Sequence, residues 1–216
     1  MFRKIYMISF LFLATSSTFG QKVKFGILID PTITWLRSDV SDVTRDKAHL
    51  GIDVGMSIDY FFSENYAFVT GISMFNMGGT LKYDKGITLR TKEGNMTVEQ
   101  GRKVKYNVQY VKIPLALKFK TNEIGHITYS ANLGIDPMIR VSTKIDFDDF
   151  KGIKGNKETK LINLGWHFGL GAHYSLGDET AIFGGLSFMN TFIDLTKPSH
   201  DHITSNNVML RIGVLF

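Results

Sequence analysis

Two histidines, His167 and His173, stand six residues apart on a glycine-rich run, with Ser175 beside the second and Ser187 further along the chain. A serine next to an imidazole can carry nucleophilic acyl transfer when the ring takes the hydroxyl proton and a third group holds the ring in place. No G-x-S-x-G turn presents either serine. Lone histidines without a base and an orienting partner read instead as hydrogen-bonded rings in a polar interior. His200-Asp201-His202 offers metal donors, but on an exposed loop with nothing to fix the rings it reads as a solvated turn; His49 also falls beside a loop. Gly169-Leu170-Gly171 lacks the third glycine and the following helix of a dinucleotide site. Asn95-Met96-Thr97 matches a glycosylation sequon, a three-residue pattern too short to carry weight by itself. No catalytic, cofactor-binding or metal-ligating set is therefore assigned. The expectation is a protein that is not an enzyme and needs no cofactor.

The elements that would position such residues are better defined. At 216 residues the chain fits one domain. It carries 17 Phe and 21 Gly against 4 Pro, and 44% of its residues are apolar, which excludes a disordered or collagen-like chain. The absence of cysteine excludes disulfides, thiolate metal sites and a lipidated cysteine anchor. Lys and Arg are scattered rather than gathered into a stripe, which argues against nucleic acid as a partner.

Residues 1–20 have the form of a cleaved signal peptide: Arg3 and Lys4, an apolar run from Ile5 to Ala14, then small residues at Thr18 and Gly20 ahead of Gln21. The apolar run is too short to cross a bilayer as a helix. The mature domain is then 21–216. Removing Arg3 and Lys4 from the 25 basic residues leaves 23 against 20 acidic ones, a net charge of +3.

Period-two alternation marks eight segments, at 23–36, 49–62, 66–82, 104–120, 127–142, 161–175, 181–193 and 207–216. In the fourth, Gln109, Val111, Ile113, Leu115, Leu117 and Phe119 oppose Val108, Tyr110, Lys112, Pro114, Ala116 and Lys118. Apolar faces of five or six residues ending in aromatics suit a lipid-facing band with interfacial girdles. The opposite faces mix Gly with charge, as a narrow side-chain-filled lumen requires. Asp30, Asp53, Asp59, Asp136, Lys112, Lys118, Arg140 and Arg211 all fall on these faces, and they should pair with one another and plug the interior. Connections after the second, fourth and sixth segments are tight, whereas 37–48, 83–103, 143–160 and 194–206 are long and polar. That rhythm places short turns in the periplasm and long loops outside. The expected fold is all-β: an eight-stranded antiparallel up-and-down transmembrane β-barrel in the outer membrane of a Gram-negative envelope, exported by its signal peptide.

The segment Tyr110-Val111-Lys112-Ile113-Pro114-Leu115-Ala116-Leu117-Lys118-Phe119-Lys120 resembles the Tyr-x-x-Ile-Pro-Leu strand of PorT-like outer membrane β-barrels, and the Gly26 to Asp30 stretch and the terminal Phe216 fit the same family. The resemblance implies an outer-membrane barrel without catalytic residues, and for some members a part in type IX protein secretion. The final segment, ending on Phe216, is similar to the targeting signature read by the barrel-assembly machinery. The partners expected are outer-membrane lipid, that machinery and secretion-complex proteins. Two other readings stay open at this point: a lipid A-modifying barrel enzyme built around His167 or His173, and a soluble periplasmic ligand-binding barrel.

Overall fold

A computed structural model describes residues 23–92, 94–177, 180–197 and 202–216. The expected signal segment, Asp178 and Glu179 of one turn, and His200 and Asp201 of the expected triplet lie outside the described residues. Twelve strands form, β1 (Val23–Ser38), β2 (Val43–Ser63), β3 (Tyr66–Tyr83), β4 (Ile87–Thr91), β5 (Gly94–Val98), β6 (Lys103–Lys112), β7 (Leu115–Lys120), β8 (Ile127–Phe147), β9 (Phe150–Lys154), β10 (Ile162–Gly177), β11 (Thr180–Thr191) and β12 (Ile203–Leu215). Eight walls result, because β6 and β7 are two halves of one wall between β3 and β8. Each wall pairs antiparallel with its sequence neighbours, and β1 pairs with β12, so the sheet closes and has no edge. Reciprocal Phe25 N–H to Phe216 O and Phe216 N–H to Phe25 O bonds, both 2.8 Å, fasten the seam at its lower end.

The fourth expected segment is continuous in sequence but broken in the sheet at Ile113-Pro114. Proline has no N–H to give the ladder, and the strand resumes after Ile113 N–H reaches Pro137 O at 3.0 Å. The face assignment is as expected on both sides of the break: Val108, Tyr110, Lys112, Ala116 and Lys118 are buried, whereas Ile113, Leu115, Leu117 and Phe119 are exposed.

Outward apolar residues form a continuous belt. Along β2 it runs from Leu50 to Phe62, which at about 3.3 Å per residue and about 40° of tilt spans about 30 Å, the thickness of a bilayer's hydrocarbon core. Phe25, Phe62, Tyr66, Phe68, Phe119 and Phe216 gather at its lower edge, and Tyr66 meets Phe119 edge-on at 5.7 Å. These amphipathic and aromatic rings mark the interface on the short-turn side.

The long connections depart from the expectation of plain loops. Strands β1 and β2 continue to Ser38 and from Val43, which leaves a four-residue turn where 37–48 reads as a loop; β8 runs to Phe147, and β4, β5 and β9 form inside the other connections. The barrel wall therefore rises well above the belt, and there its polarity inverts. Lys103, Lys105 and Asn107 point outward while Val104, Tyr106 and Val108 are buried, the pattern of a sheet that faces water outside and a core inside. With no cysteine in the chain, thiol labelling tests the orientation cleanly. Cysteine replacing the exposed Asn95 or Lys151 should react with an impermeant maleimide on intact cells, and cysteine replacing Asn122 should react only once the outer membrane is opened; the reverse pattern would invert the topology.

Candidate functional site

Inside the belt the lumen holds four buried carboxylates, each with a cation or an imidazole. Asp30 on β1 accepts Arg211 Nε–H from β12 at 3.2 Å and the Ile212 amide at 3.2 Å. Asp53 and Asp59 on β2 accept the ammonium groups of Lys112 and Lys118, which reach them past β3. Asp136 Oδ2 on β8 lies 2.8 Å from His167 Nδ1 on β10. Phe183 joins the upper and lower charges, with Arg211 5.5 Å and Lys118 5.9 Å from its ring, and Lys112 lies 5.2 Å from Phe75. Bare glycines make this density possible: a Cβ on Gly171 would lie 2.5 Å from the Phe183 ring, and one on Gly169 would lie 2.3 Å from Asn132 Oδ1. The space left among Asp30, Asp53, Lys112, Asn132 and Asp136 is about 40 Å³, room for a few water molecules.

Of the eight charges expected to pair within the lumen, six form three acid–base pairs, and Asp136 and Arg140 do not meet. Arg140, expected to pair in the lumen, instead donates to the carbonyls of Asn156, at 2.7 Å, and Thr159, and to Thr159 Oγ1 at 2.9 Å. Arg140 stands four residues above Asp136 on β8, at the level of the outer connections, and the register shift between Tyr110↔Arg140 and Gln109↔Ser142 lies just above it. His167 takes the place left open beside Asp136. His173 lies lower, with Nε2 2.9 Å from Ser130 Oγ and its ring 4.7 Å from Phe183. Ser175 lines the mouth on the short-turn side near it, a recess of about 260 Å³ that also includes Lys24, Lys120 and Glu123. Ser187 donates to Phe168 O at 3.1 Å. The structure thus keeps His167 and His173 in separate layers and brings neither Ser175 nor Ser187 onto them. His202 Nδ1 lies 3.4 Å from Asp194, and among the described residues no group of donors is arranged for a metal.

Above the charged layers the lumen is closed by an apolar cap that the sequence reading did not anticipate. Leu36, Phe75, Met77, Leu81, Val108, Met138, Met189 and Ile203 come from the barrel walls, and Leu89 and Val98 from the β4–β5 hairpin folded over them; all are fully buried. Tyr83 and Tyr106 share a 2.9 Å hydroxyl contact within it. The outer connections are tied to one another: Arg90 N–H to Glu158 Oε2 at 2.9 Å, Lys92 N–H to Lys154 O at 3.0 Å, Lys197 N–H to Glu158 O at 2.8 Å and Lys160 N–H to Leu195 O at 2.9 Å. Three connections therefore act as one folded lid. Its outer side carries a groove of about 530 Å³ between Asp42, Lys85, Ile87 and Arg90.

Among solved structures the chain is similar to the surface protein NspA of Neisseria (10% identity, TM-score 0.46, covering 88% of this chain and 95% of that one), to OprG of Pseudomonas aeruginosa (12%, 0.48, 89% and 94%) and to the outer membrane protease OmpT of Escherichia coli (10%, 0.49, 94% and 99%). No curated protein matches it. A family model described as an outer membrane protein beta-barrel domain matches residues 14–197. With the closed eight-walled sheet and its apolar belt, that match places the protein in the cell outer membrane, and the chain belongs to the outer membrane protein beta-barrel domain family.

Proposed function

We propose that the protein is a non-enzymatic envelope component of the outer membrane, with its lumen permanently filled and its folded outer lid as the working surface, and that it serves a protein-secretion assembly of the type IX kind. The observation that carries the first part is the double seal. Buried ion pairs fill the belt-level lumen and an apolar core fills the level above, so neither solute passage nor substrate entry has a route. The resemblance of the Tyr110 to Lys120 strand to PorT-like barrels supports the secretion role. The exposed lid, tied together by backbone bonds, offers a fixed surface for a protein partner.

The reading as a lipid A-modifying enzyme is built around His167 or His173. His167 has Asp136 beside it but sits in the filled lumen with no serine bonded to it among the described residues, and His173 meets Ser130. That pair faces the lumen near the periplasmic mouth, away from the lipid belt where an acyl chain would arrive, and no carboxylate bonds the His173 ring among the described residues. Deleting the gene should change the set of proteins released by the cells and leave lipid A masses unaltered. The wild-type chain and a His173→Ala variant should both restore release, and a chain with 86–99 replaced by a short turn should not. An altered lipid A mass that His173→Ala fails to restore would overturn the proposal in favour of the enzyme.

A further inference from the structure

The outer face of the barrel changes character just above the apolar belt, and it does so on one side. On β2, β3, β6 and β8 the rising walls carry Arg45, Lys47, Lys82, Lys103, Lys105 and Lys144, against the acids Asp46 and Asp146. On β11, β12 and β1 the residues directly above the belt are Asn190, Asn206 and Trp35, and the cation that follows, Arg37, is bridged to Asp39 at 3.6 Å. Part of the basic set is occupied: Lys103 with Asp46 at 2.7 Å, and Lys82 with Asp84 at 3.6 Å. Arg45, Lys47 and Lys144 have no acidic partner among the described residues, and Lys105 reaches Asp146 at only 3.9 Å.

Register brings three of these together. Lys47 and Lys105 both pair with Thr80, one from each side of β3, and Lys144 pairs with Asn107, two residues along β6 from Lys105. Neighbouring strands are about 4.8 Å apart and diagonal positions about 7–8 Å, so Lys105 starts about 10 Å from Lys47 and about 7–8 Å from Lys144, with Lys47 and Lys144 about 16 Å apart on either side of it. Their height is equally specific. Lys47 stands three residues above Leu50, and Lys144 three above Val141, the last large exposed apolar residues of β2 and β8, with Lys105 one step higher between them. At the strand's rise and tilt three residues span about 8 Å, within reach of the headgroup layer for a flexible lysine stem.

We propose that Lys47, Lys105 and Lys144 form a docking site for the phosphate groups of the outer-leaflet glycolipid, so that the barrel holds lipopolysaccharide on one flank. Three ammonium groups spread along one flank, with Lys105 between the other two, suit a lipid that carries more than one phosphate, each of which accepts charge-assisted hydrogen bonds. The belt directly below supplies the apolar surface that the same lipid's acyl chains need. A soluble polyanion would meet the cations but gain nothing from the belt, which favours lipid as the occupant. The proposal does not depend on whether the lumen is sealed or on any secretion role.

The test is native mass spectrometry of the folded full-length barrel in detergent, titrated with phosphorylated lipid A, with the same lipid A after removal of its phosphates, and with a sulfated oligosaccharide. Phosphorylated lipid A should bind the wild-type chain at least tenfold more tightly than the dephosphorylated form. The Lys47→Gln/Lys105→Gln/Lys144→Gln variant should lose that preference and the corresponding arginine triple should keep it, while Arg37→Gln/Lys160→Gln should bind as wild type. Heat-modifiable gel mobility reports whether each variant is folded. If the glutamine triple does not fold, the preference of the wild-type chain must instead fall as salt rises. Equal binding of both lipids by the wild-type chain, an unchanged preference in the folded glutamine triple, or tight binding of the sulfated sugar without preference for the phosphorylated lipid would each overturn the proposal.

Discussion

Replacing Lys112 with methionine should destabilise the folded barrel by about 3–5 kcal/mol, because it strips a buried carboxylate of the one cationic hydrogen-bond donor it has among the described residues. Asp53 and Lys112 are both nearly inaccessible, and Asp53 Oδ1 has no further protein partner to fall back on. Removing both charges together, as Lys112→Met/Asp53→Leu, should recover most of the loss, since the pair's attraction largely offsets its own desolvation. Trp35 and Trp166, the chain's two tryptophans, report urea unfolding of protein refolded into vesicles. An unchanged midpoint for Lys112→Met, or a double variant as weak as the single one, would contradict the paired-lumen account.

Leu115→Arg should cost about 2–4 kcal/mol in the same assay. Leu115 is the central member of the outward series Val111, Ile113, Leu115, Leu117 and Phe119, so its side chain lies near the middle of the hydrocarbon. Asn107→Arg places the same charge on the same face eight residues higher, above the belt, and should change stability by less than about 0.5 kcal/mol. Similar penalties at the two positions would show that the belt is misplaced. A penalty at Asn107 alone would show that the wall is turned inside out, since a slip of one residue exchanges every face.

The inward and outward faces were legible in the sequence because a strand's side-chain period is two and lipid tolerates no exception over five or six residues; Leu115 and Lys118 could be assigned without any structure. Pairing partners were legible only in part. That the buried charges pair follows from their shared faces, but which acid meets which base does not: Arg140 stands four residues above Asp136, level with the outer connections, and only the register shows it. His167 was placed correctly in the lumen, while its contact with Asp136 depends on the register of β8 against β10, which the residues alone do not give. The lid was hidden because loop composition was read as loop structure. Its signal was present: Leu89 and Val98 are isolated apolar residues in a polar connection, and Val104, Tyr106, Val108 and Tyr110 put four large apolar groups on a face that carries charge lower down. An apolar lumen face above a charged one means that the wall has left the membrane and encloses a core of its own.

Single-channel recording bears most directly on the central claim of a barrel sealed twice over. The purified, folded protein inserted into a planar bilayer in 1 M potassium chloride should add no steady conductance to the bare membrane, because the ion pairs leave about 40 Å³ at the belt level and the apolar lid closes the level above. Stable, uniform current steps from the wild-type chain would contradict the account, since an ion could then cross a lumen in which paired side chains leave room for only a few water molecules.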